Sequence, residues 1–116
     1  MKLISFDIDG TLEAGDPPGI ITMDMVRAIK ALGYVIGSGS DRTLLSQRHI
    51  WERHCMVVDF TVLKHQLAGL KAQFQVEAYY HIGDTDMDRV QADRAGFRFV
   101  QVDAALRQIW GPEVFP

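Results

Sequence analysis

The fold is decided by residues 2–11, KLISFDIDGT. The first half of this stretch is a short apolar run with β-branched and aromatic members, which predicts a buried strand. Asp7 and Asp9 follow two residues apart, so in an extended chain their side chains point the same way. Gly10 then allows a sharp turn where a side chain would obstruct the backbone. Two like charges at one strand end repel each other, and a divalent cation, or a proton held by one carboxyl, explains why both are present.

The composition is typical of one globular domain, with 116 residues of which 47% are hydrophobic and 23% charged. The net charge of −3 disfavours a broad nucleic-acid-binding face. Cys55 is the single cysteine and forms no internal disulfide, which favours a reducing compartment. No apolar run reaches transmembrane length, and the N-terminus lacks a signal-peptide pattern, so we expect a cytoplasmic protein with no membrane partner.

Short apolar stretches alternate with helical patterns along the whole chain. We predict strands near residues 2–6, 34–37, 57–63, 79–82 and 97–102, and helices near 22–32, 43–53, 66–74, 86–95 and 104–109. The strands are continuous apolar runs, which is typical of a parallel sheet covered on both faces. We therefore predict one α/β domain over residues 1–116, a doubly wound, Rossmann-like five-stranded parallel sheet with helices on both faces.

Polar residues follow four of the predicted strands. In chain order they are Asp7 and Asp9, then Ser38, then Lys64, and finally Asp84 with Asp88. Because the carboxyl ends of parallel strands meet at one edge of a sheet, we expect these groups to lie together. Taken singly, each has a simpler explanation as a turn residue, a solvated charge or a helix cap. Those simpler explanations do not predict that all of them occur in this order.

This set of residues suits phosphoryl chemistry. Carboxylates bind a hard cation such as Mg²⁺, which prefers oxygen ligands. The cation and a lysine offset the charge of a phosphoryl group, and a serine donates a hydrogen bond to it. One aspartate can attack phosphorus while a second carboxyl gives a proton to the leaving oxygen.

Residues 7–11, DIDGT, and residues 83–88, GDTDMD, form two acidic motifs, and Ala95-Gly96 follow the second. Ser38 and Lys64 lie between these motifs in the chain. In this order the four features resemble the motifs of the haloacid dehalogenase-like (HAD) superfamily, over residues 2 to about 102. The resemblance implies an Mg²⁺-dependent phosphatase that acts through an aspartyl-phosphate intermediate.

The resemblance also implies a role for each residue. Asp7 would be the nucleophile, Asp9 the general acid and base, and Lys64 the third catalytic residue. Substrate phosphate would be bound by Ser38, Gly39 and Lys64. The Mg²⁺ ligands would be Asp7, Asp9 through its carbonyl, Asp84, and Asp88 as a ligand or as a partner that orients one. An acid at residue 9 favours phosphoester hydrolysis or phosphoryl transfer, because dehalogenating relatives lack it.

The sequence departs from the family pattern in two places. His65 follows Lys64 where proline is usual, and no basic residue follows Ser38-Gly39 directly. Arg42 lies close by and could contact the substrate instead, but we favour its interpretation as an exposed residue at the start of a helix. Neither departure removes a catalytic group.

The intervals between the motifs leave no room for a cap domain. Capless relatives often act on macromolecules or use a neighbouring subunit to cover the site, so the substrate is a phosphorylated small molecule or a macromolecular phosphoester, with a homo-oligomer as one way to exclude water. The Gly/Pro-rich loop 12–20 is the internal candidate for a lid. We expect Trp110, Val114 and Phe115 to pack on the parent domain.

Three alternatives stay open at this point. A response-regulator receiver domain also combines acids and a lysine, but there the lysine follows a Ser/Thr late in the chain. A non-catalytic HAD-fold module would bind a metal or a partner without turnover. A nucleic-acid end phosphatase keeps the chemistry, although the acidic net charge disfavours it. The four histidines lack metal-ligand spacing, and His81 is expected to be buried and hydrogen-bonded.

Overall fold

The computed structural model describes residues 1–110, apart from the side chain of Leu106. Val114 and Phe115, for which we predicted packing on the domain, lie outside the described residues. The strands are β1 (Lys2–Phe6), β2 (Val35–Ser40), β3 (Phe60–Leu63), β4 (Ala78–Gly83) and β5 (Arg98–Gln101). The helices are α1 (Met23–Ala31), α2 (Leu44–Arg53), α3 (Leu70–Gln73), α4 (Asp86–Ala95) and α5 (Val102–Gln108), and a 3₁₀ helix, Lys64–Gly69, leads into α3.

The five strands form one parallel sheet in the order β3-β2-β1-β4-β5. The chain moves outward from β1 through β2 to β3, and then crosses back to add β4 and β5 on the other side. In sheets of this kind the strand order reverses next to the first strand, and a crevice opens there at the carboxyl ends. The predicted α/β fold is confirmed, and β1 with its two aspartates lies at its centre.

Helices cover both faces of the sheet. Ile4 and Phe6 of β1 belong to a core that also contains residues of α1, α2 and α5, whereas Leu3 belongs to a second core with residues of the 3₁₀ helix, α3 and α4. This division follows from the alternation of side chains along a strand. Trp110 closes the first core, where its ring lies 5.9 Å from that of Phe6. The predicted packing of Trp110 on its own domain is confirmed.

Threonine side chains fix the start of two helices. Thr22 caps α1, with its Oγ1 accepting a hydrogen bond from the Met25 amide at 3.1 Å. Thr85 caps α4 in the same way. An oxygen at this position satisfies an amide that has no partner within the helix. Thr85, and not Asp84, is therefore the N-cap of this helix, and Asp88 lies in its first turn.

Strand β2 is longer than the sequence indicated, because it continues to Ser40. The prediction ended it at Gly37, where the alternation of glycine and serine is typical of a turn. Instead, the glycines allow close packing within the sheet. A Cβ on Gly37 would lie 2.1 Å from the carbonyl oxygen of Phe60, and one on Gly39 would lie 2.7 Å from Ser5 Oγ.

Two other elements differ from the prediction. β3 begins at Phe60, because Val57 is 76% exposed and lies before the strand. The helix predicted over residues 66–74 is a 3₁₀ helix followed by a single turn of α-helix. Leu67 and Leu70 are both buried, and a spacing of three residues places side chains on one face in either kind of helix.

The connections between the strands are short. The loop 12–20 and α1 join β1 to β2, and α2 joins β2 to β3, so the described part of the chain contains no inserted cap domain. Within residues 1–110, no helix is long and apolar enough to cross a membrane.

Candidate active site

A cavity of about 250 Å³ opens at the carboxyl edge of the sheet. It is lined by Asp7, Asp9, Pro17, Ser40, Asp41, Lys64, Asp84 and Thr85. These residues follow or end β1, β2, β3 and β4, as expected of a site where the strand order reverses. Four of the predicted residues, Asp7, Asp9, Lys64 and Asp84, therefore meet at one cavity.

Two glycines make room for the acids. Gly10 has a φ of +77°, and a Cβ added to it would lie 2.0 Å from Asp84 Oδ2. A Cβ on Gly83 would lie 2.3 Å from Asp88 Cγ. Real atoms do not approach this closely, so any other residue at either position would displace a carboxylate. Gly10 and Gly83 therefore leave the space that the carboxylates of Asp84 and Asp88 occupy.

Three carboxylates converge beneath the cavity. Asp7, Asp84 and Asp88 each offer an oxygen, and these oxygens lie within 4.8 Å of one another. Asp84 Oδ1 is buried and has no hydrogen-bond partner among the described residues. A buried polar atom without a partner is costly, and a cation would satisfy it. A set of carboxylate oxygens is the donor set that Mg²⁺ prefers, so the residues present fit such an ion.

Asp88 differs from the other two acids because its oxygens are already engaged. Oδ1 lies 2.9 Å from Lys64 Nζ and 2.8 Å from His81 Nε2. Oδ2 accepts hydrogen bonds from the Asp84 amide at 3.2 Å, the Thr85 amide at 3.1 Å and the Thr85 hydroxyl at 2.8 Å. These contacts hold Lys64 and the backbone of Asp84 in place. Asp88 therefore orients the groups of the site, while Asp7 and Asp84 have oxygens left for a ligand.

Lys64 supplies positive charge at the buried end of the cavity. Its ammonium is 3.5 Å from Asp7 Oδ1 and 3.6 Å from Asp41 Oδ2, and its side chain is only 5% exposed. Although burial opposes the charged form, Asp7 and Asp88 raise the pKa of Lys64 above its ordinary value. The lysine therefore stays charged.

The pKa of Asp7 shifts upward, to about 8. Burial of the carboxyl is the largest cause, the charge of Asp88 adds to it, and Lys64 opposes it. The pKa of Asp88 shifts the other way: burial again opposes the charge, but hydrogen bonds from His81 and Lys64 hold that pKa below its ordinary value. When Asp7 and Asp88 are both ionised, one buried lysine does not balance them, which is a second reason why the site suits a metal cation.

His81 lies below the acids in β4. The ring is fully buried between Ser5 Oγ, 3.0 Å from Nδ1, and Asp88 Oδ1, 2.8 Å from Nε2. The prediction of a buried, hydrogen-bonded histidine is confirmed. Its partners fix the orientation of the Asp88 carboxylate, as outer partners commonly do for groups around a metal.

Asp9 faces the opposite side of the cavity, where it pairs with Arg42. Arg42 Nη2 lies 2.7 Å from Asp9 Oδ1, and Nε lies 3.1 Å from both carboxylate oxygens. The Asp16 amide, in the loop 12–20, donates to the same Oδ1 at 2.8 Å. The hydrogen bonds from Arg42 are the main reason why the pKa of Asp9 falls below its ordinary value. The interpretation of Arg42 as an exposed residue at the start of a helix is wrong, because its side chain is only partly exposed and pairs with Asp9.

The structure does not bring Ser38 or Gly39 to the cavity. Ser38 is fully buried, donates its hydroxyl to Gln47 Oε1 at 2.6 Å and accepts from Trp51 Nε1 at 3.0 Å. Its hydroxyl is thus used between β2 and α2. Gly39 faces Ser5 and Leu67 within the sheet. The prediction that these two residues bind phosphate is therefore corrected, because β2 ends further along the chain.

Ser40 occupies the position for which Ser38 was predicted. It is the last residue of β2, and it lines the cavity beside Lys64. Its Oγ accepts a hydrogen bond from the Arg42 amide at 3.0 Å. Ser38 and Ser40 are two residues apart and share a face of the strand, so the sequence contained both candidates. Ser40 lines the cavity because it ends the strand, whereas Ser38 lies within it.

Comparisons with protein-family models, with curated proteins and with solved structures find no match to this chain.

Proposed function

We propose that this protein is a Mg²⁺-dependent phosphomonoester hydrolase of the HAD type, which acts through an aspartyl-phosphate on Asp7. One observation carries the proposal: at the carboxyl edge of the sheet, buried Asp7 lies beside Lys64 and beside the unpartnered oxygen of Asp84. The order of the motifs along the chain, which resembles the HAD superfamily, supports the same chemistry.

Asp7 and Asp84 would hold the Mg²⁺, and Asp88 would orient Asp84 through its backbone amide. When bound, the ion would supply positive charge that favours the ionised form of Asp7 and offsets the charge of the phosphoryl group. Lys64 adds a second positive charge on the same side. Ser40, at the end of β2, lines the cavity and would donate its hydroxyl to a phosphate oxygen.

The chain's own residues account for both halves of the reaction. The reaction begins with Asp7 ionised and with Asp9 protonated, a state that Asp9 reaches only after it has left Arg42, because the pair holds its pKa low. In the first half, the Asp7 carboxylate attacks phosphorus, the ester P–O bond breaks, and Asp9 gives its proton to the departing oxygen. In the second half, Asp9 takes a proton from water, the water oxygen attacks phosphorus, and the bond to Asp7 breaks. Inorganic phosphate leaves, and both aspartates return to their starting state. Asp9 must turn away from Arg42 to do this.

The pair formed by Asp9 and Arg42 favours a second candidate function, a metal-binding module without turnover. In the structure, the Asp9 carboxylate is held by Arg42 and by the Asp16 amide. If the pair does not open, the acid is not free to protonate a leaving group. Such a protein would still bind Mg²⁺ at Asp7 and Asp84, but it would release no phosphate.

The experiment that separates these two functions is phosphate release from a generic aryl phosphate, with Mg²⁺ or with a chelator. We expect release that requires Mg²⁺ and that is lost in Asp7→Asn, because an amide does not attack phosphorus. Asp93→Asn, an exposed change on α4, is the matched control and should keep full activity. Binding of Mg²⁺ without phosphate release would favour the second function. Full activity in Asp7→Asn would contradict the proposal.

A further inference from the structure

The two basic residues of the site, Lys64 and Arg42, differ in the number of carboxylates that surround them. Lys64 contacts three carboxylates, those of Asp7, Asp41 and Asp88. Arg42 forms an ion pair with one, that of Asp9. Its side chain is 28% exposed at the rim of the cavity, and Ser46 Oγ accepts from Nη1 at 3.1 Å. The guanidinium is therefore held in position by a group other than its acid.

The position of Asp9 in the structure conflicts with its role in the proposed reaction. The structure engages both oxygens of this carboxylate, with Arg42 on each and the Asp16 amide on Oδ1. A general acid must instead place an oxygen within hydrogen-bond reach of the leaving group. When Asp9 turns to do so, the guanidinium loses its acid while Ser46 still holds it at the rim. A partly buried charge without a partner is unfavourable, so another anion would stabilise this state.

We propose that this anion belongs to the substrate, and that Arg42 is a specificity-determining residue. The substrate class would be phosphomonoesters whose leaving group carries its own carboxylate or phosphate a few bonds from the ester oxygen. The planar guanidinium fork donates two parallel hydrogen bonds to either group. The substrate anion replaces Asp9 on Arg42, and Asp9 is released to the leaving oxygen. This inference rests on the proposed function and adds to it the identity of the leaving group.

The test compares two esters of similar length, butyl phosphate and 3-(phosphonooxy)propanoate, of which only the second has a carboxylate. A third substrate, propane-1,3-diyl bisphosphate, distinguishes phosphate from carboxylate as the second anion. With the wild type we expect kcat/KM to be at least about tenfold higher for an ester with the second anion, since a charged, forked pair contributes more than a neutral contact.

Arg42→Ala should reduce this preference to about one, and the two esters should respond differently. Hydrolysis of the charged ester should slow more than that of butyl phosphate, which has no anion for the guanidinium to bind. Arg42→Lys keeps the charge but loses the fork, so it should retain part of the preference. Arg53→Ala, an exposed change at the end of α2, should leave the preference unchanged.

A loss of activity that is equal for both esters in Arg42→Ala would indicate a structural role and would overturn the inference. So would a wild type that hydrolyses both esters equally well, although the proposed function would then stand. Phosphate release from the aryl phosphate but from none of the three esters would overturn the inference alone, whereas release from none of the four substrates would overturn both proposals.

Discussion

The two halves of the site differ in burial and in the number of partners. Asp7, Lys64, His81 and Asp88 form a buried cluster, in which every side chain is at least nine-tenths buried and contacts another member. Asp9 and Arg42 form a rim pair, in which each side chain is about one-third exposed. Residues two apart in the sequence thus end in opposite surroundings, because Asp7 still lies next to β4 while Asp9 extends into the loop.

This difference explains why the two carboxyls acquire opposite properties. Burial raises the pKa of Asp7 to about 8, whereas Arg42 holds the pKa of Asp9 below its usual range. These directions are the reverse of those that the proposed reaction needs, since the attacking carboxyl must be ionised and the proton donor protonated. A bound cation would lower the pKa of Asp7, and the departure of Asp9 from Arg42 would raise that of Asp9. In the proposed reaction, the buried cluster would hold the attacking oxygen of Asp7 in position, and the rim pair would exchange partners.

The largest effect on stability should follow from removing the positive charge of Lys64 from the buried cluster. Lys64→Met leaves Asp88 and Asp7 without the ammonium that now lies between them. Breaking a buried pair in this way typically lowers the free energy of unfolding by about 3–5 kcal/mol. Chemical denaturation in the presence of a chelator measures the change. Lys71→Met, an exposed control, should cost less than about 1 kcal/mol, and an equal effect of the two variants would contradict the cluster.

The next effect is a dependence of stability on pH in the metal-free protein. Because the pKa of Asp7 rises from 3.8 to about 8 on folding, the folded state binds more protons than the unfolded state between these values. The free energy of unfolding should therefore fall as the pH rises from about 4 to 8, by a few kcal/mol. The lowered pKa of Asp88 acts below this range and does not cancel the trend.

Asp7→Asn isolates this effect, because an amide does not titrate. The difference in stability between wild type and variant, measured by thermal unfolding across the pH range, should favour the variant increasingly towards pH 8. Mg²⁺ should reduce the difference by compensating the charge of Asp7. A difference that is constant with pH would show that Asp7 is ionised throughout, and that the two halves of the site do not differ as described.

The smallest effect is expected at the rim pair. Arg42→Ala removes an ion pair that is about one-third exposed, and such pairs contribute less than about 1 kcal/mol to stability. Thermal unfolding near neutral pH should therefore detect little change, even if the substrate preference changes strongly. A destabilisation as large as that of Lys64→Met would show that the rim pair is structural, and would remove the contrast with the buried cluster.

Most of the fold could be predicted from local patterns. The continuous apolar strands and their alternation with helices were sufficient to predict a parallel sheet. The end of β2 could not be predicted in this way, because Gly37 and Gly39 are required by neighbouring strands and not by a turn. Tertiary packing overrode the local preference for a turn there, and the strand continues to Ser40. The serine that lines the cavity is therefore Ser40 and not the predicted Ser38.

The site was predictable where a residue's position depends on a strand end. Asp7, Lys64 and Asp84 reach the cavity for this reason, and the topology determines their meeting. The ion pair between Asp9 and Arg42 depends instead on how the loop 12–20 and the start of α2 fold over the edge. Spacing in the sequence does not specify this geometry. The fully engaged oxygens of Asp88 were likewise unpredictable, since they depend on His81 from a neighbouring strand.

The most direct measurement of the central claim is the identification of the residue that receives the phosphoryl group. Wild-type protein is mixed with an aryl phosphate and Mg²⁺, quenched in acid within one turnover, and its peptides are analysed by mass spectrometry. We predict one added phosphoryl group on the peptide that carries Asp7, lost on treatment with base, and none in Asp7→Asn. Phosphate release with no modified peptide, or with the group on any other residue, would contradict the account.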